Sequence, residues 1–205
     1  MLNNKTILFF NPDGTVQEKE LFEKIKSGDV HAFKLLFESY RNAVFNLCFR
    51  FANNREDAED LCQEVFLKIF NSVHTFKYKS KPSTWIYRIT VNLCLNFRRK
   101  HRKLNWLFLD EPCEENTDVS KRLSIPAVDQ PDRALERKER EQIIQGAINS
   151  LPKNQRVALI LQRYEDFSVK EIAEILRTSV LSVQSRLARG KENLCKKLLS
   201  HQKNI

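Results

Sequence analysis

Apolar residues recur along this chain in steps of three and four, and nowhere alternate with a period of two over a useful length, so the pattern predicts helices. The first stripe is Val30, Phe33, Leu36, Phe37, Tyr40, Val44, Leu47, Cys48 and Phe51. Asp29 is placed to cap its start, and Asn53-Asn54 to end it. A second helix, from about residue 55 to residue 70, buries Ala58, Leu61, Cys62, Val65 and Ile69. Residues 77–83 form a polar, Pro-containing loop. A third helix starts near Ser83 or Thr84 and buries Ile86, Ile89, Leu93 and Phe97. It closes on Arg98-Arg99-Lys100, charges that suit the negative end of a helix.

Residues 104–131 break the pattern. Pro112, Pro126 and Pro131, with Asp110, Glu111, Glu114, Glu115 and Asp118, predict a flexible acidic linker. Periodicity resumes with Leu135, Ile143, Ile144, Ala147 and Ile148, and Pro152 is placed to start a helix carrying Val157, Leu159, Ile160 and Leu161. Ser168-Val169-Lys170-Glu171 has the form of a capping box ahead of Ile172, Ala173 and Leu176. Three residues later a last helix buries Val183, Leu187 and Leu194. The expectation is an all-α protein: an N-terminal extension over 1–20, a helical domain over 21–103, the linker over 104–131 and a second helical domain over 132–205.

Charge changes the picture. The 205-residue chain carries a formal net charge of +9, unevenly spread. Residues 21–103 hold 16 basic and 8 acidic side chains, residues 104–136 hold 3 and 8, and residues 137–205 hold 14 and 7. Two basic blocks flanking an acidic connector fit two contacts with one long polyanion, and equally two helical domains with lysine-rich surfaces. Residues 65–109 contain no Asp or Glu, ten basic residues and many aromatic rings, the combination that holds a nucleic-acid backbone and stacks on exposed bases.

The cysteines at 48, 62, 94, 113 and 195 show no C-x-x-C spacing, and the four histidines do not cluster near them. Neither a disulfide framework nor a metal site is expected, and a reducing cytoplasm fits best. Residues 7–10 are too short an apolar run for a signal-peptide core, and no run approaches membrane-spanning length.

Three constellations carry candidate chemistry. Two short helices joined by residues 177–179 match a helix-turn-helix whose second helix exposes Gln184, Ser185, Arg186, Arg189 and Lys191, side chains able to read base edges and clamp phosphates. Asp60, Gln63 and Glu64 share one helical face. That acidic patch suits a basic protein partner, or it is an ordinary solvated helix start. Third, the basic loop, Trp85, Tyr87, Arg88 and Asn92 could trap bases drawn from a duplex, or the rings could simply fill the core. Clustered carboxylates of the kind a two-metal nuclease needs are absent from the basic segment, and the acids at 57–64 have no accompanying His. No catalytic residue and no cofactor is expected.

The motifs together resemble a sigma factor of RNA polymerase, of the extracytoplasmic-function (ECF) group in the sigma-70 family. The resemblance rests on Asp57-Ala58-Glu59-Asp60 with Gln63-Glu64-Val65-Phe66, on Thr84-Trp85-Ile86-Tyr87-Arg88-Ile89 with Asn92, on Leu151-Pro152 with Arg156, and on the run from Ser168 to Lys191. It covers about residues 21–103 (region 2) and 132–200 (region 4). It implies that Asp60, Gln63 and Glu64 dock on the clamp helices of the polymerase's largest subunit. It implies that Lys77, Lys79, Lys81, Ser83, Trp85 and Asn92 serve −10 recognition, with Arg88, Arg98 and Arg99 on phosphates. Gln184, Ser185 and Arg189 would read the −35 element, with Ser182, Arg186 and Lys191 on its backbone. An anti-sigma factor is the further partner the resemblance implies, and a helix-turn-helix regulator that never binds polymerase is the alternative.

Three positions depart from the family pattern. Arg177 stands at a turn position usually held by Gly, which implies strain or a shifted turn. Leu181-Ser182 replace a usual Gly-Thr, and Gly190-Lys191 stand where Ala-Arg is common.

Overall fold

The computed structural model describes the backbone of residues 15–107 and 131–202, and the side chains of 18–101 and 140–200. Within that range the chain is helical: α1 (Thr15–Lys26), α2 (Val30–Ala52), α3 (Arg55–Ser72), α4 (Pro82–Leu107), α5 (Pro131–Asn149), α6 (Lys153–Tyr164), α7 (Val169–Leu176) and α8 (Val180–Gln202), with a 3₁₀ turn over Val73–Thr75 after α3. Residues 108–130 with Cys113, the first 14 residues and residues 203–205 lie outside the described range, as do the side chains of Leu135 and Lys103, and α4 and α5 run into the two ends of the segment 104–131 expected as linker.

The first module is a bundle of α1 to α4. Asp29 Oδ1 accepts from the backbone N–H groups of His31 and Ala32, capping α2 as its sequence position requires. At the other end Asn53 adopts φ 65°, and its N–H closes on the Phe49 carbonyl. Asn54 then caps α3 by accepting from the Asp57 N–H at 2.8 Å. Two consecutive asparagines thus end one helix and begin the next. Leu36, Val44, Leu47 and Phe51 from α2 meet Leu61, Val65 and Ile69 from α3 and Ile86, Val91 and Cys94 from α4 in one buried core. The cysteines at 48, 62 and 94 are free thiols inside it. The Cys62 thiol is pushed up to about 12, chiefly by burial, which suppresses its reactivity.

The third helix departs from its expected outline. It opens at Pro82, whose missing N–H costs nothing in a first helical turn. It continues past Lys100 to Leu107. Its buried apolar positions are Ile86, Tyr87, Val91 and Cys94, with Thr84 and Thr90 buried beside them, while Ile89, Leu93 and Phe97 are only partly covered. Packing against α2 on one side and the second module on the other rotates the buried face away from the stripe that spacing alone suggests.

The second module packs α5, α6, α7 and α8 around Ile148, Leu151, Val157, Ile160, Leu161, Ile172, Val183 and Leu187. Arg156 is 8% exposed, and its Nη1 donates to the Asn149 carbonyl at 2.6 Å, tying α6 to the end of α5. Burial, then repulsion from Arg98, pushes the Arg156 guanidinium down to about 10. Gly190 answers a question of packing. A Cβ there would stand 2.9 Å from Leu159 Cδ1 and 3.3 Å from Gln155 Cβ, so α8 crosses α6 closely enough that a side chain would have to displace Leu159.

The two modules meet along a largely polar seam. Gln145 Nε2 donates to the Arg50 carbonyl at 3.1 Å, and Asn149 Nδ2 to Asn53 Oδ1 at 2.9 Å. Arg50 lies over the Tyr164 ring at 3.9 Å. Tyr87 stacks edge-on against Phe167 at 4.6 Å and donates its hydroxyl to Glu165 Oε2 at 3.1 Å. Arg88 Nη2 donates to the Glu174 carbonyl at 2.8 Å.

Candidate nucleic-acid interface

The acidic patch is built by α3. With Ala58, Leu61, Cys62, Val65 and Ile69 turned inward, helical geometry leaves Asp60, Gln63 and Glu64 on the outer face, and all three are exposed. Sequence reasoning missed the continuation of that face. Leu67 is 63% exposed and Phe70 47% exposed, the latter leaning on Phe33 with centroids 5.0 Å apart. The signal was present, because Leu67 is out of phase with the inward stripe and seven residues beyond Asp60. The face thus carries acidic and amide side chains followed by two exposed apolar ones.

The −10 set divides. Lys77, Lys79 and Lys81 are exposed ahead of α4, and Ser83 lies in its first turn. Trp85 sits 5.1 Å from the Phe76 ring and 6.0 Å from Phe22, so half of it belongs to an aromatic cluster that ties α1 to α4. Its remaining surface lines a cleft together with Arg88 and Asn92, which follow at three and seven residues on the same helical face. Trp85 therefore packs in the core with part of its ring and leaves the rest on the cleft. Phe76 and Tyr87 are core residues, 5% and 7% exposed. Arg99 is exposed. Arg98 is not: its Nη1 donates to the Phe51 carbonyl at 3.1 Å and to Asn149 Oδ1 at 3.2 Å, which makes it a strut across the seam. Burial holds its guanidinium below the ordinary range.

The helix-turn-helix is α7, a turn over 177–179, and α8. The capping box is complete: the Glu171 N–H donates to Ser168 Oγ at 3.3 Å, and the Ser168 N–H donates to Glu171 Oε2 at 2.9 Å. Arg177 sits at φ 49°, ψ 53°, so the turn keeps its usual left-handed geometry and the arginine bears the strain. Ser179 Oγ accepts from the Ser182 N–H at 3.1 Å and begins α8. Val183, Leu187 and Gly190 face inward. Gln184, Ser185, Arg189 and Lys191 are exposed, while Ser182 and Arg186 are half-buried. Arg186 lines the same cleft as Trp85, Arg88 and Asn92, so the structure brings part of the −10 set against one member of the −35 set. The outward stripe also holds Leu181, 75% exposed, which the sequence reading noted only as a departure.

Among the described residues no group of three or more His, Cys, Asp or Glu side chains could hold a metal ion, and no helix is long and apolar enough to cross a membrane. Residues 36–104 match the family model for Sigma-70 region 2, and residues 141–194 that for Sigma-70 region 4. The chain is 32% identical to the ECF RNA polymerase sigma factor SigW of Bacillus subtilis (strain 168), over 88% of this chain and 96% of that protein. The chain belongs to the ECF sigma factors. It is also 35% identical to the ECF RNA polymerase sigma-E factor of Haemophilus influenzae, over 88% of this chain and 95% of that protein. The fold of this sigma factor matches CnrH, solved with the cytosolic domain of CnrY, at a TM-score of 0.64 and 19% identity, covering 89% of this chain and 97% of that one. It also matches the sigma factor RpoE of Bartonella quintana, solved with the anti-sigma factor NepR, at 0.63 and 22%, covering 82% and 98%. As a sigma factor, the chain directs promoter-specific initiation of transcription.

Proposed function

We propose that this sigma factor attaches to core RNA polymerase through α3 and positions two DNA-reading modules on one promoter, with no catalysis of its own. The observation that carries this is the chemical division of the surface. Asp60, Gln63 and Glu64 form an acidic strip with exposed Leu67, while the promoter-facing candidates on α4 and α8 are basic, amide or hydroxyl side chains with the aromatic Trp85, and none is acidic. The strip suits the clamp helices of the polymerase's largest subunit.

On DNA, Lys77, Lys79, Lys81, Ser83, Trp85, Arg88, Asn92 and Arg99 serve the −10 element, and Arg98 joins them once the seam opens. Gln184, Ser185 and Arg189 read the −35 element from the outward face of α8, with Ser182, Arg186 and Lys191 on phosphates. The two modules take in α1 to α4 and α5 to α8, which reach slightly past the boundaries 21–103 and 132–205, the acidic segment between them threads the polymerase interior, and the work is cytoplasmic. Each module binds promoter DNA weakly alone, and tethering to the core makes the second contact intramolecular. An anti-sigma factor is the partner that would hold the chain inactive.

The test reverses charge on the strip. Asp60→Lys with Glu64→Lys is expected to abolish retention of core polymerase while circular dichroism stays helical. Normal retention by that variant, or failure of wild-type chain and core to start RNA synthesis on a promoter library, would overturn the proposal.

A further inference from the structure

The cleft between α4 and the second module has a volume of about 410 Å³, and its cations include Lys153 and Arg177, to which the promoter reading gives no role. Arg88 enters it from the first module, and Lys153, Arg177 and Arg186 from the second, with Asn92 and Trp85 beside them. No acidic side chain lines it. Four cations facing one space with no lining counter-charge repel one another unless something anionic enters.

Three observations show that the positive charge is left open to a ligand. Arg88 gives Nη2 to a neutral acceptor, the Glu174 carbonyl, and its Nε is buried with no partner. Its guanidinium is held below the ordinary range, first by burial and then by Arg177, with the Glu174 carboxylate acting in the opposite direction. Second, α6 begins at Lys153 on the cleft wall, and its cap residue Pro152 offers no side-chain acceptor. The positive end of that helix therefore reaches the cleft without a cap. Third, Arg177 occupies a left-handed position (φ 49°) that glycine takes without strain, so the chain holds a charged side chain on the cleft at a conformational cost.

We infer that this cleft binds a phosphate-type polyanion, a di- or triphosphate group either free or carried on a nucleoside, and that its occupation clips the two modules together. Guanidinium groups grip phosphate oxygens two at a time, and an uncapped helix start adds backbone N–H donors. A ligand that touches Arg88 on one module and Lys153, Arg177 and Arg186 on the other binds only the docked form, so it raises the docked population by mass action. In the docked form Arg88 and Arg186, which the promoter reading needs, are half-buried, and Asn92 faces the same cleft; this consequence, though not the anion site itself, rests on that reading.

The test uses the full chain without DNA or polymerase. Calorimetric titration at about 0.15 M salt is run with inorganic phosphate, pyrophosphate, triphosphate and a nucleoside triphosphate. Saturable one-to-one binding of pyrophosphate or triphosphate is expected, weakened at least tenfold by Lys153→Glu and by Arg177→Glu. Arg177→Gly, which fits the backbone, guards against misfolding and is expected to weaken binding by severalfold. Lys197→Glu, on an exposed stretch of α8, is expected to change it less than twofold. A nucleoside triphosphate binding at least fivefold tighter than triphosphate places a base beside Trp85 and Asn92, and equal affinities assign the site to the phosphate chain alone. Absence of saturable binding, or an equal loss with Lys197→Glu, refutes the site. Neither refuting result touches the promoter reading. Conversely, binding that does not inhibit transcription separates the site from its proposed consequence.

Discussion

Glu165 makes docking of the two modules sensitive to pH. It is 6% exposed at the seam, where it accepts the Tyr87 hydroxyl. Burial raises its carboxyl to about 7 from an ordinary 4.5; the Tyr87 hydrogen bond and the Arg50 guanidinium pull it down, and Asp166 adds repulsion. Arg50 also covers the neighbouring Tyr164 ring. The docked state therefore holds a proton that the open state releases. Docking is weakest above pH 7, where a carboxylate must be buried, and strengthens as the pH falls from about 7 towards 4.5. If docking supplies all of the burial, its equilibrium constant rises about 70-fold between pH 8 and pH 5, or about 2.5 kcal/mol. Phe167 and Tyr164 belong to the same module as Glu165, so part of the burial survives opening and the rise is expected between about 10-fold and that ceiling.

Energy transfer between dyes on Cys195 and on Lys34→Cys, in a Cys113→Ser background, reads the equilibrium. Cys195 is exposed, whereas the cysteines at 48, 62 and 94 are buried and resist labelling. Glu165→Gln keeps an acceptor for Tyr87 without a titratable charge. It is expected to hold the modules closed at pH 8 and to flatten the profile. Every other titratable group is common to both proteins, so the difference between their profiles isolates Glu165. A wild-type profile that moves less than twofold across this range, or a variant that titrates like wild type, refutes the reasoning.

Three further outcomes follow from the second module. Leu181 stands on the outward face of α8 beside Gln184 and Ser185, placed for a thymine methyl; replacing one −35 thymine by uracil is expected to weaken binding three- to fivefold, and to have no effect with Leu181→Ala, as read by fluorescence anisotropy. Gly190→Ala is expected to forfeit the ~1 kcal/mol that helix propensity offers, because the new Cβ meets Leu159; a gain of that size in urea unfolding would refute the close crossing. Arg177→Gly is expected to raise stability by about 0.5–1 kcal/mol in the same assay by relieving a left-handed arginine, and a loss would mean that its side-chain contacts outweigh the strain.

Much of this molecule was legible because its local signals act within a few residues. Asp29, the Asn53-Asn54 pair, Pro152 and the Ser168–Glu171 box all do at the backbone what their side chains dictate, and each marks a helix end correctly. Arg177 shows the limit of such reasoning: the sequence posed strain or a shifted turn, and packing of α7 on α8 settled it as strain. What the sequence left hidden has another cause. Spacing on a single helix cannot tell which side meets a second module 50 residues or more away. Tyr87 and Arg98 look like nucleic-acid ligands in a basic helix, yet their hydrogen-bond partners, Glu165 and Asn149, come from beyond the linker. Arg88 faces both ways, on the surface proposed for DNA and hydrogen-bonded to the Glu174 carbonyl. Docking therefore uses side chains that the promoter reading also requires. Whatever opens the seam releases Arg88 from the Glu174 carbonyl and Arg98 from Asn149 together, so the two arginines change partners in one step.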